Sequence, residues 1–191
     1  MDVDPRTLKI VYFPHPVLRT KAKPIERIDQ VVRDVGERMI ELMYEAEGIG
    51  LAAPQVGLPW RMFVCHVPSS PEPAPTPSNG TDADLPDANA GPEVYINPTI
   101  TEPHGLPELM EEGCLSLPRV RGDLMRQPDV TLTWSDLDGT THTRRATGLL
   151  ARCWQHENDH LDGVLIIDRF TQLSRMRTRS ALRALEKQGS S

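Results

Sequence analysis

Near the end of the chain, residues 155–160 read Gln-His-Glu-Asn-Asp-His and so contain the pattern H-E-x-x-H. Four residues almost complete one turn of an α-helix, so His156 and His160 would project from the same helix face. Two imidazoles at that spacing can bind one metal ion, and Glu157 beside them can take a proton from a metal-bound water. Because so short a pattern also occurs by chance on a solvated helix, a metal site needs a second observation.

The flanking residues favour a helix across this pattern. Thr147 is a plausible N-cap residue, Gly163 can end the helix, and the side chains between them recur at helical spacing. The recurring positions are Leu149, Leu150, Cys153, Trp154, Glu157 and Leu161. The sequence therefore predicts that one helix presents both histidines.

A catalytic metal site usually has three protein ligands and one position left open for water. The best candidate for the third ligand is Cys114, which lies upstream in Glu-Glu-Gly-Cys-Leu-Ser at residues 111–116. Cys153 shares the helix face of Glu157 and His160 and could close the coordination shell as a fourth ligand. Free cysteine is more often a small buried hydrophobic residue, so we predict that Cys153, like Cys65, belongs to the core.

Three stretches together resemble the signature motifs of the peptide deformylases. They are Gly-Ile-Gly-Leu-Ala-Ala-Pro-Gln at 48–55, Glu-Gly-Cys-Leu-Ser at 112–116 and Gln-His-Glu-Asn-Asp-His-Leu-Asp-Gly at 155–163. The resemblance implies an enzyme that removes the formyl group from the N-terminal formyl-methionine of nascent polypeptides and releases formate. It also implies one divalent metal ion, commonly Fe²⁺, with Zn²⁺, Ni²⁺ or Co²⁺ as alternatives between which a thiolate and two imidazoles do not choose.

The predicted chemistry follows from a metal ion held by Cys114, His156 and His160. The fourth position would be free for a water molecule whose pKa the ion lowers towards neutrality. Glu157 is placed to take a proton from this water and pass it to the departing amine. Stabilisation of the oxyanion is assigned by the resemblance to two groups that can donate hydrogen bonds. They are the side-chain amide of Gln55 and the backbone N–H of Leu115.

The resemblance also implies contacts with substrate. Gly50 would offer backbone hydrogen bonds to an extended peptide, and Arg121 stands where the family keeps an arginine near it. The candidates for the pocket of the methionine side chain are Ile49, Met110 and Leu149. Arg152 stands where related enzymes tend to be apolar at the rim of that pocket, which leaves the side-chain preference open. Arg126 is expected to form an ion pair with Glu47.

The composition suits one soluble domain spanning residues 1–191, with 38% hydrophobic and 25% charged residues. A formal net charge of −6 argues against nucleic-acid binding by the whole surface, so we expect no DNA partner. No apolar run approaches the length of a membrane span. Three widely separated cysteines do not form a disulfide framework and fit a reducing cytoplasm. We expect a monomer.

The remaining patterns predict the fold class. An amphipathic helix begins after Asp29 and is closed by Gly48, and strands are predicted at 61–67 and at 94–97, where Pro98 would end the second. Asp138 and the glycine after it indicate a hairpin turn. The predicted strands follow one another along the chain, and the helices lie in separate segments. This order indicates an α+β fold, with antiparallel sheets packed around a central metal-binding helix and a C-terminal helix.

Two segments stand apart in composition. Residues 68–92 are dominated by Pro, Ala, Ser, Asp and Gly and predict a surface loop inserted within the domain, longer than in the deformylases compared. Residues 171–191 predict a basic amphipathic helix and tail, with Leu173, Met176, Leu182 and Leu185 as its apolar stripe. Its basic residues favour either docking on ribosomal RNA, as the resemblance suggests, or a solvated helix face.

Two other functions fit parts of the sequence. An H-E-x-x-H metallopeptidase usually takes its third ligand downstream of the helix, where only Asp162, Asp168 and Glu186 offer metal-binding side chains, and none lies in a matching motif. A non-catalytic binding protein on the deformylase scaffold, with a structural metal, would be indicated by the loss of Glu157, Gln55 or Cys114. All three residues are present, which favours catalysis.

Overall fold

A computed structural model describes residues 3–69 and 85–189 of the chain. The helices in these ranges are α1 (Gln30–Glu45), α2 (Gly148–Leu161), α3 (Ile166–Arg169) and α4 (Gln172–Gln188). The strands are β1 (Gly50–Ala52), β2 (Met62–Cys65), β3 (Glu93–His104), β4 (Glu108–Cys114), β5 (Leu117–Arg126), β6 (Asp129–Ser135) and β7 (Thr141–Thr147). Within the described residues, no helix combines the length and the apolar content that crossing a membrane requires.

The strands form two antiparallel sheets, as the α+β prediction requires. The larger sheet has the order β1-β2-β3-β6-β7, and the smaller one is the hairpin β4–β5. The predicted turn between β6 and β7 is present, and Gly139 adopts a left-handed φ of 81° there. A side chain is strained in that conformation, which explains the glycine after Asp138.

Both faces of the larger sheet are covered by helices. Along β2, Met62 and Val64 pack in the cluster that includes α1, whereas Phe63 and Cys65 pack in the cluster that includes α2. Alternation of side chains across a strand explains why all four residues are apolar and buried. Trp154 of α2 is fully buried in its cluster, so the helix with the two histidines lies at the centre of the domain.

The hairpin β4–β5 packs against the C-terminal part of the chain, which includes the start of α4. Leu117, Val120 and Leu124 of β5 pack with Phe170, which precedes α4. The backbone N–H of Asp123 donates to the hydroxyl of a serine in the first turn of α4, over 2.8 Å. These contacts fix the hairpin, and hence Cys114 at its turn, relative to α2.

The N-terminus of α2 is capped by backbone carbonyls. Thr147 is its N-cap residue, as predicted, but its hydroxyl donates to the carbonyl of Pro128 rather than accepting from the helix. The Thr147 N–H donates to the carbonyl of Pro86, and the Leu150 N–H donates to that of Asp87. Pro86 and Asp87, within the predicted 68–92 loop, are therefore held against α2, whereas residues 70–84 lie outside the described residues.

Two details of the predicted elements are wrong. Asp29 caps α1 as predicted, but the left-handed residue after the helix is Glu47, with φ 56°, rather than Gly48. Gly48 lies close to the second motif, because a Cβ there would be 2.8 Å from Leu115 Cδ1, and that leucine side chain would have to shift. Strand β3 does not end at Pro98 but continues through it, because the ladder with β6 shifts register between Ile96 and Thr99. A proline is tolerated at such a shift.

The C-terminal helix forms as predicted, but its apolar stripe is different. Leu182 and Leu185 are partly buried against the hairpin cluster, whereas Leu173 and Met176 are 53% and 69% exposed. Ser174 and Thr178 are the buried residues of α4, and Ser174 fits close to Gly122 of β5. Periodicity alone could not show that a polar residue, rather than a leucine, meets the sheet.

Candidate active site

Helix α2 and the turn between β4 and β5 bring three metal-ligating side chains together. Cys114 ends β4, whereas His156 and His160 lie one turn apart on α2. Their ligand atoms all lie within 4.8 Å of one another, and Cys114 Sγ is 3.3 Å from His160 Nε2. Tetrahedral bonds of about 2.3 Å to sulfur and about 2.1 Å to nitrogen would separate these atoms by about 3.6 Å. The donor set and its spacing therefore fit one divalent metal ion.

The ring of His156 is oriented by a buried carboxylate. Its Nδ1 lies 3.0 Å from Glu112 Oε2, which leaves Nε2 for a metal ion. Glu112 also accepts a bidentate pair from Arg126, with Nε–Oε1 and Nη2–Oε2 distances of 2.7 and 2.9 Å. Burial opposes its ionisation, but hydrogen bonds from His156 and Arg126 outweigh burial and hold the pKa of Glu112 well below its usual range.

Arg126 does not form the predicted ion pair with Glu47. Its remaining amino group donates to Asp159 Oδ2 over 2.8 Å, and its side chain is 3% exposed. On β5, Arg126 shares the inner face with Leu124 and so points towards α2 rather than towards the end of α1. Arg126 therefore links the second motif to the third, through Glu112 and Asp159.

Glu157 lies in a different environment from Glu112, although both are buried. It is 4% exposed, and Oε2 has no hydrogen-bond partner among the described residues. Burial raises the pKa of Glu157 to about 7, against the opposing charges of His156 and Arg126. A bound cation would lower this pKa again. In the metal-free protein, the carboxylate of Glu157 therefore exchanges a proton near neutral pH.

The two histidines carry different charges in the metal-free protein. Burial disfavours the charged ring of His156, but hydrogen bonds with Cys114 and Glu112 outweigh burial and raise its pKa to about 10. Burial and the neighbouring His156 lower the pKa of His160 well below its usual range. His160 Nδ1 has no partner in the described part of the chain. Metal binding thus has to displace a proton from His156.

Gln55 holds its amide next to the cysteine. Its Oε1 accepts from the backbone N–H of Ala52 over 2.8 Å, which directs the NH₂ group towards Cys114 Sγ and Ser116 Oγ, at 3.5 and 3.3 Å. The side chain is 1% exposed, so this orientation is fixed by packing as well. Leu115 follows Cys114 in the turn and lines the same cleft.

A cleft of about 610 Å³ opens onto these residues. Every residue predicted for the site lines it except His160, which is buried behind the cysteine. The apolar residues predicted for the substrate pocket remain 37–46% exposed there, although they are large. They are Ile49, Met110 and Leu149. Partly exposed apolar side chains in a cleft are typical of a ligand site.

Gly50 is required by the closeness of two walls of this cleft. A Cβ at this position would lie 2.4 Å from Glu157 Oε1 and 2.8 Å from Cys153 Sγ. Gly50 belongs to β1, the edge strand of the larger sheet, and its partner on β2 is Cys65. An edge strand presents backbone groups to which an extended peptide can add as a further strand.

Sequence comparison supports the resemblance over most of the chain. A family model described as polypeptide deformylase matches residues 7–176. The chain belongs to this deformylase family. A peptide deformylase from Novosphingobium aromaticivorans is 40% identical over 182 residues, which are 94% of this chain and 95% of the relative. A second, from Brucella suis, is 39% identical over 166 residues and covers 87% of this chain.

Solved deformylase structures share the fold. A peptide deformylase from Ehrlichia chaffeensis has a TM-score of 0.83 and 31% identity, over 96% of this chain and 97% of its own. The deformylase from Synechococcus elongatus, in complex with actinonin, has a TM-score of 0.77 and 38% identity, over 96% and 88%. Deformylases are hydrolases that act on N-formylmethionyl peptides during N-terminal processing of new proteins, and this chain is one of them.

Within this deformylase, three further groups complete the charged surroundings of the ligands. Arg152 is 5% exposed and donates to Glu112, and Asp159 accepts from Arg126 and Arg169. The sequence offered one signal for them, because a charged residue among the apolar residues of a buried helix needs a partner.

Cys153 is buried as predicted, with its Sγ 3.2 Å from that of Cys65.

Proposed function

We propose that this chain removes the formyl group from the N-terminal formyl-methionine of nascent polypeptides, in a metal-dependent reaction that releases formate. The observation that supports this most directly is the position of Glu157. Its carboxylate lies beside three ligand side chains, at the wall of a cleft where a peptide can reach it. A purely structural metal would need neither an unpartnered carboxylate nor an open cleft.

The metal ion would be held by Cys114 Sγ and by one nitrogen of each histidine, His156 and His160. When bound, it supplies a coordinated water molecule that loses a proton near neutral pH. We propose Fe²⁺ as the ion in the cell, on the strength of the family resemblance. A thiolate and two imidazoles suit Fe²⁺, Zn²⁺, Ni²⁺ and Co²⁺ alike.

Glu157 would act as the proton carrier. It takes one proton from the attacking water, whose oxygen forms a new bond to the formyl carbon. It then gives the proton to the amide nitrogen as the carbon–nitrogen bond breaks, so that water and the formyl-peptide become formate and a free amine. In the metal-free protein burial raises the pKa of Glu157 to about 7, which offsets part of the lowering that a bound cation would cause.

The oxyanion that forms during attack would receive two hydrogen bonds. The amide of Gln55 is already directed towards Cys114, because the Ala52 N–H holds its oxygen. The backbone N–H of Leu115 is the second donor. Donors fixed before the reaction stabilise the developing charge without having to reorganise.

Substrate would lie along β1 as an extended strand, with hydrogen bonds to the backbone of Gly50. Its methionine side chain would enter between Ile49 on one side and Met110 and Leu149 on the other, which all line the cleft. Arg121 also lines the cleft, with its Nε 2.8 Å from Glu111 Oε1, and would lie near the peptide beyond its first residue.

The contacts downstream of α2 do not favour a metallopeptidase. Asp162 pairs with Arg61, and Asp168 pairs with Arg19, so two of the three candidate third ligands are engaged elsewhere. The ligand that completes the set is Cys114, upstream of the helix.

We further propose a cytoplasmic monomer that contacts the ribosome through α4. The support is a row of exposed basic residues along this helix, at Arg175, Arg177, Arg179, Arg183 and Lys187. Co-sedimentation with ribosomes should weaken with rising salt, and replacing Arg177, Arg179 and Arg183 by glutamine should abolish it. If the triple variant co-sediments as the wild type does, the helix is a solvated surface. Sedimentation equilibrium tests the monomer.

The function is tested by formate release from a formyl-Met peptide under anaerobic conditions, with metal content measured on the same sample. Glu157→Gln keeps the shape of the side chain but removes the base, so we expect activity to fall by about 10²–10⁴-fold with metal retained. Asp162→Asn, a carboxylate after α2 that does not line the cleft, should keep activity. A metal-loaded wild type that releases no formate would leave a binding protein as the better interpretation.

A further inference from the structure

Arg152 is the one cleft-lining residue of α2 whose charge is buried and whose role the proposed chemistry does not use. It follows Leu149 by one helical turn and precedes His156 by another, so it lies between the apolar pocket and the ligand set. Its side chain is 7% exposed. A buried guanidinium must have its donors satisfied, so its partners show what the residue does.

These partners both belong to β4. Nη1 donates to Glu112 Oε1 over 2.8 Å, and Nη2 donates to the backbone carbonyl of Glu108 over 2.8 Å. Met110 lies midway between the two acceptors, and alternation along the strand places all three side chains on the same face. Arg152 thus holds β4 on either side of Met110.

The other contacts of Glu112 separate this role from metal binding. Arg126 contacts both of its oxygens, and His156 contacts Oε2, whereas Arg152 contacts Oε1 alone. If Arg152 were removed, the bidentate pair and the bond to His156 would remain. The carbonyl of Glu108 has no such second support from α2 in the described residues. The loss would therefore fall on the first part of β4, not on the ligands.

We propose that Arg152 is a positioning residue for substrate selectivity, which fixes the distance between Met110 on β4 and Leu149 on α2. The inference rests on the proposed deformylase function, because it assigns the width of the pocket that takes the first side chain of the substrate. A guanidinium suits this task, because its planar fork reaches two acceptors at once.

The test compares formyl-Met and formyl-Ala tripeptides, with Arg152→Met as the variant. Methionine retains the length and the apolar stem but cannot hold either acceptor. For the formyl-Met substrate we expect KM to rise about tenfold, with kcat within about twofold and metal content unchanged. For formyl-Ala we expect little change, so the preference for methionine falls about tenfold. Arg152→Lys keeps the charge but cannot span both acceptors, and should give an intermediate effect.

Arg61→Met is the matched control. Arg61 is also a partly buried arginine that binds a side chain of α2, the carboxylate that follows this helix and a backbone carbonyl, but it lies outside the cleft. This variant should leave the Met-to-Ala preference as it is. If it lowers the preference as much as Arg152→Met does, general loosening of α2 is responsible and the proposal fails.

A second readout does not depend on activity. Hydrogen–deuterium exchange at residues 106–112 should be faster in Arg152→Met than in the wild type and unchanged in Arg61→Met. Unchanged exchange there would overturn the proposal, as would a loss of kcat and metal with an unchanged preference. If Arg152→Met does not fold, Arg152→Lys is judged by the same readouts. A wild type that releases no formate would refute the proposed function, while the exchange experiment still decides whether Arg152 holds β4.

Discussion

Two buried glutamates lie beside the ligand set, and their surroundings differ. Glu112 is bound by two arginines and by His156, and the hydrogen bonds with His156 and Arg126 hold its pKa well below the usual range. Glu157 has an oxygen without a partner, and its pKa is raised to about 7. The same functional group is thus a permanent anion in one place, whereas in the other it exchanges a proton near neutral pH when no metal is bound. The difference comes from the hydrogen bonds of Glu112 with His156 and Arg126, which have no counterpart at Glu157.

This contrast explains why the site can be both rigid and reactive. Glu112 orients His156 only if it stays ionised, and the hydrogen bonds from Arg126 favour that state. In the proposed reaction Glu157 moves a proton, which a hydrogen-bonded arginine would hinder by holding the carboxylate ionised. Exchanging the two environments would disable both residues, because the orienting group would become neutral and the proton carrier would become a fixed anion.

Removal of the charge at Glu112 should have the largest effect on stability. In Glu112→Gln, Arg126 and Arg152 lose the anion that compensates them, so we expect a loss of about 3–5 kcal/mol in the free energy of unfolding. The ring of His156 also loses its partner, which should weaken metal affinity by about 10–100-fold. Denaturant titration of the metal-free protein and a chelator competition measure the two effects.

Glu157→Gln is the matched control for this variant, because it changes the same atoms at a residue with no arginine bound to it. At neutral pH it should cost little stability and little metal affinity, although it abolishes activity. If the two variants lost stability equally, the arginines would not be the cause of the difference between the two glutamates.

The difference between the two glutamates should also appear in how the free energy of unfolding depends on pH. This effect is expected to be smaller than that of Glu112→Gln. A glutamate titrates at about 4.3 in the unfolded chain. In the metal-free folded protein, the pKa of Glu157 is about 7. Between these values the folded state retains a proton that the unfolded state has lost, so stability falls as the pH rises. We expect Glu157→Gln to gain about 1–3 kcal/mol relative to wild type between pH 4.5 and pH 7.5. A pH-independent difference between the two proteins would contradict this.

The sequence alone predicts correctly those features that depend on interactions between residues close together in the chain. Helical spacing placed His156 and His160 on one face, and Asp29 and the turn glycine after Asp138 act where they were predicted. Cys114 was found because few residues offer a ligand of the right kind. In each case the information lies within a few residues or in the chemistry of one side chain.

The sequence alone does not predict the partner of a buried arginine when that partner is distant along the chain. Arg126 was expected to bind Glu47 but binds Glu112 and Asp159, 14 and 33 residues away. Arg152 looked like a residue at the rim of a pocket, yet its partner Glu112 lies 40 residues away on another element. Which carboxylate a buried arginine meets depends on how β4, β5 and α2 pack together, and no local pattern encodes that.

The last prediction concerns His156, which is a neighbour of both Glu112 and Glu157. In the metal-free protein the pKa of His156 is about 10, so the ring is charged at neutral pH. A histidine binds metal as the neutral ring and a cysteine as the thiolate, so binding has to release this proton as well as that of the Cys114 thiol. Between pH 6 and pH 8, the affinity for Ni²⁺ should therefore rise about tenfold per pH unit for each of the two protons, or about a hundredfold in all. Chelator competition across this range, with proton release measured in an unbuffered solution, checks it. A rise of only about tenfold per pH unit, with one proton released, would mean that His156 is already neutral, and that Glu112 orients its ring without charging it.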